Sequence, residues 1–205
     1  MAHAATLSEV ERFENQLTPG WGKLMMWIFL CSDAMSFAGL LAAYGAVRLG
    51  SSDWPNPAQI LDVPLTAINT FILICSSVTM VKALSAIKHG NKSGMLLWLA
   101  GTILGGATFL GVQAYEWTHL IHEGLTIQGN PFGVSSLFGA TFYILTGFHG
   151  CHVLSGVIYL LCIFIKGARG GYTAEHNSPV EIAGLYWHFV DLIWILVFTF
   201  VYLIV

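Results

Sequence analysis

Charge is scarce in this sequence. Lys, Arg, Asp and Glu make up 9% of its 205 residues, against 56% hydrophobic ones, and the mean hydropathy is +0.70. Soluble domains carry about a quarter of their residues as charge, so water is not the solvent for most of this chain. The few Lys and Arg are spread out and the net charge is -3, which leaves no basic face and sets nucleic-acid partners aside. Paired cysteines are missing too. Cys31, Cys75, Cys151 and Cys162 each fall inside an apolar run without a CxxC spacing. That pattern argues against a disulfide framework or zinc ribbon and reads as four small buried hydrophobes. A cleavable signal peptide is also not visible. About twenty residues, polar as a set, precede a first apolar run too long for an h-region, so that run is expected to stay in the mature protein.

What the chain does have is five long apolar runs, near 22–48, 64–88, 94–121, 136–166 and 180–204. A bilayer core of about 30 Å needs about 20 such residues per helix, so each run is long enough to span. Turn-forming stretches separate them: SSDWPNPAQILD, HGNKSG, EGLTIQGNPFG and GARGGYTAEHNSP. Pro64 and Pro179 stand where a helix begins, a place that suits a residue without an N–H. The expected fold is therefore all-α: a polytopic bundle of five transmembrane helices over 22–205, behind a cytoplasmic segment 1–21. Arg12, Lys23, Lys82, Lys88, Lys92, Lys166 and Arg169 fall at one set of span ends and only Arg48 at the other. By the positive-inside rule this puts the N-terminus in the cytoplasm and the C-terminus in the periplasm.

Spans two to four are rich in small residues, among them Ser76, Ser77, Gly101, Gly105, Gly106, Gly139, Gly147, Gly150 and Gly156. In lipid such residues mark close helix–helix approach. No inverted repeat of the transporter kind is seen.

Ionisable residues inside these runs carry the functional information, because each is costly there. Asp33 lies near the middle of the first span; it is a structural acid, a group facing water or a partner, or a relay member. His188 and Asp191 are three apart and share a face in the fifth span, able to bond one another or to reach other helices. His149 and His152 form a similar pair in the fourth, a spacing that can ligate one metal but lacks a third ligand. Glu116-x-x-His119 in the third resembles the carboxylate-bridged metal motif of four-helix bundles, but the further glutamates of such a site are absent from the spans. His119 and His122 read more simply as interfacial, with Trp117 as an aromatic-belt residue.

The wording of the spans resembles subunit III of the haem-copper terminal oxidases. The first has FLCSDAMSFAGLLAAY, with Asp33 where many members have Glu; the second has PLTAINTFILICSSVTM; the third has FLGVQAYEW. FYILTGFHGCHVLSGVIYL and GLYWHFVDLIWILVFTFVYL are the most specific matches. Long members have seven helices, and this chain is similar to their last five, as in short bacterial members. The resemblance implies a non-catalytic, multi-pass subunit of the bacterial inner membrane that supports proton uptake, stability and lipid binding of subunit I. It implies subunit I as direct partner, subunit II and others in the complex, haem and copper held by those partners, and bound phospholipid. Lys166 stands where the family often has an Arg that binds a lipid phosphate; a lysine attracts phosphate as a point charge, without the bidentate fork. On this reading Asp33, Glu116, His149, His152, His188 and Asp191 are buried contacts between helices, and no residue is catalytic. The alternatives are an accessory subunit of a nitric oxide reductase, an independent proton-coupled transporter, and a membrane metalloenzyme built on the histidine pairs.

Overall fold

The computed structural model describes residues 2–127, 129 and 137–204, with side chains from residue 20 onward. Every element among them is helical. The helices are α1 (Ala2–Gly50), a one-turn α2 (Pro57–Ile60), α3 (Val63–Lys88), α4 (Lys92–His122), α5 (Leu137–Ala168) and α6 (Ser178–Phe198), which runs on as a π-helical turn over Thr199–Leu203. Five stretches are long and apolar enough to cross a membrane: Gly20–Gly50, Val63–Lys88, Lys92–His122, Leu137–Ala168 and Ser178–Leu203. These agree with the five expected spans. One difference is that residues 2–21, read as a segment of their own, share a single helix with the first span.

Local chemistry sets the helix ends. Asp62 accepts from the N–H of Leu65 at 3.1 Å, and Asn91 accepts from Gly94 at 2.8 Å, each satisfying a donor that the first turn leaves over. Pro64 and Pro179 both sit in a first turn, as their missing N–H favours. Gly90 (φ 74°) and Gly170 (φ 78°) end α3 and α5 in the left-handed region. There the next residue's N–H turns back to the carbonyl of Ala86 or Lys166, closing the helix C-terminus.

Packing follows the small residues. α3 and α4 form the most intimate pair, and a Cβ on Gly105 would fall 2.7 Å from the Cβ of Ser76. Across the same seam the Thr79 and Thr102 hydroxyls share a hydrogen bond of 2.8 Å. Gly106 and Gly156 make room for the ring of Trp187, and Gly147 for that of Trp117. α6 is the most enclosed span, touching α1, α3 and α5, and it plants Trp187, Trp194 and Tyr202 in the core. α1 is the least enclosed, packing chiefly on α5 and α6. The four cysteines, expected to be buried, instead lie on outward faces. A thiol is apolar enough to be stable against lipid, so the apolar run did not require an interior position.

Candidate functional site

Helical spacing gathers the polar side chains of the spans onto inward faces, where they form ties between helices. On α3, Thr66, Asn69, Thr70 and Ser76 are all buried and recur at the helical period, so one polar stripe faces α4 and α6.

At one end of the bundle Glu116 of α4 joins three elements. Its Oε1 accepts from Thr66 Oγ1 at 3.1 Å, and its Oε2 accepts from the Tyr202 hydroxyl in the π-helical turn at 3.1 Å. The carboxyl forms the floor of a polar cavity of about 230 Å³ whose rim includes Asp62, His119 and Glu123. His119 Nδ1 lies 3.6 Å from Glu123 and does not turn toward Glu116. Glu116 and His119 therefore line one cavity but have different partners.

Nearer the middle, Trp194 Nε1 donates to Thr70 Oγ1 at 2.8 Å, Asn69 Nδ2 to the Phe109 carbonyl at 3.2 Å, and Gln113 Nε2 to the Thr146 carbonyl at 3.0 Å. The His149 ring is fully buried, with its centroid 4.7 Å from that of Trp194 and 5.7 Å from that of Phe109. Neither of its nitrogens meets a hydrogen-bonding partner among the described residues. Its neighbour His152 points to α1. There the sequence's most expensive residue finds its partner: Asp33 Oδ1 lies 3.1 Å from His152 Nε2.

The proton inventory of this pair follows from the bond on the other side of the ring. His152 Nδ1 lies 2.7 Å from the Phe148 carbonyl, which can only accept, so Nδ1 carries a hydrogen. A hydrogen between Nε2 and Asp33 Oδ1 completes the contact and ties α5 to α1. The acid thus has a hydrogen-bonding partner on another helix, which lowers the cost of placing it at this depth.

Toward the other end, His188 and Asp191 converge on α3 instead of on each other. His188 Nδ1 lies 2.5 Å from Ser77 Oγ, and the Asp191 carboxyl faces the same hydroxyl. Beside them Trp187 Nε1 donates to Ser76 Oγ at 3.0 Å, and Tyr186 lies 2.7 Å from Ser155 Oγ. An ion pair of 2.8 Å, Lys23 with Glu181, ties α1 to α6 at this end. Lys166 extends over the Tyr172 ring, 5.3 Å from its centre. Burial pushes the Tyr172 phenol above its ordinary pKa.

None of the histidine pairs converges on a common point: His149 is caged by aromatic rings, His152 is held by Asp33, and His188 by Ser77. Among the described residues no three His, Cys, Asp or Glu side chains are grouped to hold a metal. Sequence reasoning did not identify the partners Thr66, Ser77, Thr70, Trp194 and Tyr202. A polar stripe at helical period on α3 was the signal that could have found Thr66 and Thr70.

The cytochrome c oxidase subunit III family model matches residues 12–205. The chain belongs to this family. Among similar proteins, the cytochrome c oxidase subunit 3 of Corynebacterium diphtheriae is 39% identical over 86% of this chain and 85% of its own length. The Bacillus subtilis protein of the same name is 39% identical over 88% and 84%. A quinol oxidase subunit 3 of Bacillus spizizenii is 34% identical over 88% and 85%. Members of the subunit III family thus accompany oxidases with both kinds of electron donor. With five apolar helices and this kinship, the chain is a multi-pass membrane protein.

Proposed function

We propose that this chain is the non-catalytic subunit III of a respiratory haem-copper oxidase in a bacterial inner membrane, packed directly against subunit I and associated with subunit II. Oxygen reduction and its haem and copper centres belong to those partners. This chain supports proton uptake and the stability of subunit I, and holds phospholipid at its surface. Its N-terminus lies in the cytoplasm and its C-terminus in the periplasm, in keeping with the basic residues at one set of span ends. Lys166, at the basic end of α5, attracts a lipid phosphate.

The observation that carries this reading is the use of the buried polar groups. Asp33, Glu116, His188 and Asp191 each face a side chain on another helix, so they serve cohesion, while kinship supplies the complex. The test is to strip the chain from the purified oxidase. Haem and copper content and the initial rate of oxygen consumption should be retained, with faster loss of activity during turnover. Departure of haem or copper along with the chain would defeat the proposal.

Asp33 supplies a second prediction. In Asp33→Asn the amide N–H can donate to His152 Nε2 with its hydrogen on Nδ1, so the α1–α5 tie persists without an acid. Proton pumping by the intact oxidase should remain close to that of the native enzyme. Complete loss of pumping with oxygen reduction intact would make Asp33 a relay instead.

A further inference from the structure

Arg48 stands apart from the other basic residues, all of which fall at the opposite set of span ends. It lies close to the end of the first span at Gly50, and its Nη1 donates to the Ile204 carbonyl at 2.8 Å, where the π-helical turn after α6 runs out. That carbonyl is one that a helix C-terminus leaves over. It is neutral, so the contact holds the guanidinium in place without cancelling its charge. Among the described residues no carboxylate lies within 4 Å of Arg48. The same side chain heads a groove of about 490 Å³ between α1 and the end of α6. Leu41, Ala42 and Gly45 line one side and Phe200 and Ile204 the other. The guanidinium is the one polar group this groove presents, because the Tyr44 hydroxyl beneath it is buried away from the surface. From Arg48 back to Leu41 is two turns of helix, so the groove runs about 10 Å from the interface into the hydrocarbon.

We propose that this groove seats one anionic phospholipid, with its phosphate on Arg48 and an acyl chain laid between α1 and Phe200. Charge complementarity selects the occupant. A guanidinium presents a fork of N–H donors that matches phosphate oxygens, and basic pockets between transmembrane helices bind headgroups. A free phosphate ion would leave the apolar groove unfilled, and a hydrocarbon chain alone would leave the cation unmatched. A phospholipid carries both parts in the order in which the groove presents them, charge at the interface and hydrocarbon below. This site rests on the proposed lipid-holding role and adds a seat at the membrane face opposite that of Lys166.

The test is native mass spectrometry of the complex, purified through a tag on this chain with its own membrane lipids. Arg48→Gln removes the charge. Gly45→Phe keeps the charge and fills the groove, and a side chain at Gly45 meets nothing within 4 Å, so the bundle itself is undisturbed. Ile68→Phe, which adds bulk on the exposed face of α3, is the control. Arg48→Gln and Gly45→Phe should each retain one anionic phospholipid fewer than the native complex, its occupancy falling on the order of tenfold, and Ile68→Phe should lose none. An unchanged lipid count in Arg48→Gln, or a loss there without one in Gly45→Phe, would overturn the site. So would a benzophenone residue at position 45 that crosslinks another protein chain instead of phospholipid. Lys166→Gln separates the two seats: if it loses no lipid while Arg48→Gln does, Lys166 is no lipid ligand and the Arg48 site stands. If the chain purifies without oxidase partners yet loses the lipid in both groove variants, the subunit role falls and the site stands.

Discussion

Trp187→Ala should cost about 3–5 kcal/mol of bundle stability, the range for removing a large aromatic from a packed core. The ring is 1% exposed and lies against Gly106 of α4 and Gly156 of α5, while its Nε1 bonds Ser76 of α3. One side chain thus spans four helices. Stabilities total only about 5–15 kcal/mol, so the variant should accumulate poorly in membranes and unfold at clearly lower denaturant in micelles. Trp187→Phe separates the two contributions. It keeps most of the volume but removes the indole donor to Ser76, for a loss of about 1 kcal/mol. If Phe proves as damaging as Ala, the hydrogen bond and not the packing dominates.

The second large effect is expected at Glu116. Glu116→Ala takes the acceptor away from the Tyr202 hydroxyl, itself 1% exposed. An unmet buried hydroxyl costs about 1–3 kcal/mol, and the cavity left at the meeting of α3, α4 and the π-helical turn adds to it. Glu116→Gln should be nearly silent. Its amide oxygen accepts from Tyr202 and its amide N–H donates to Thr66, so both ties survive without a carboxyl. Unfolding midpoints of the three proteins in one detergent decide the matter. A Gln variant as weak as Ala would mean that the acid itself is needed.

The five spans were legible because length and apolarity determine them. The run 64–88 became Val63–Lys88 and the run 22–48 became Gly20–Gly50, shifts of a turn or less. Pro64, Pro179 and the glycines after α3 and α5 mark their ends by backbone chemistry that any sequence reading can use. Partners were not legible. Ser77 and His188 are 111 positions apart and Glu116 and Tyr202 are 86 apart, and neither pairing leaves a local trace. The i, i+3 spacing of His188 and Asp191 correctly placed both on one face, but a shared face says only that they look the same way. What they look at is Ser77, fixed by helix packing. The π-helical turn was equally invisible, since its extra residue per turn has no signature in composition.

The Asp33 to His152 contact bears on how the protein is made. These residues are 119 positions apart, and α1 rests chiefly on α5 and α6, the last two spans to be synthesised. During translation the first span therefore enters the bilayer with its acid unmatched and waits while two further spans are threaded. The acid of α1 gains its partner only when α5 has been made.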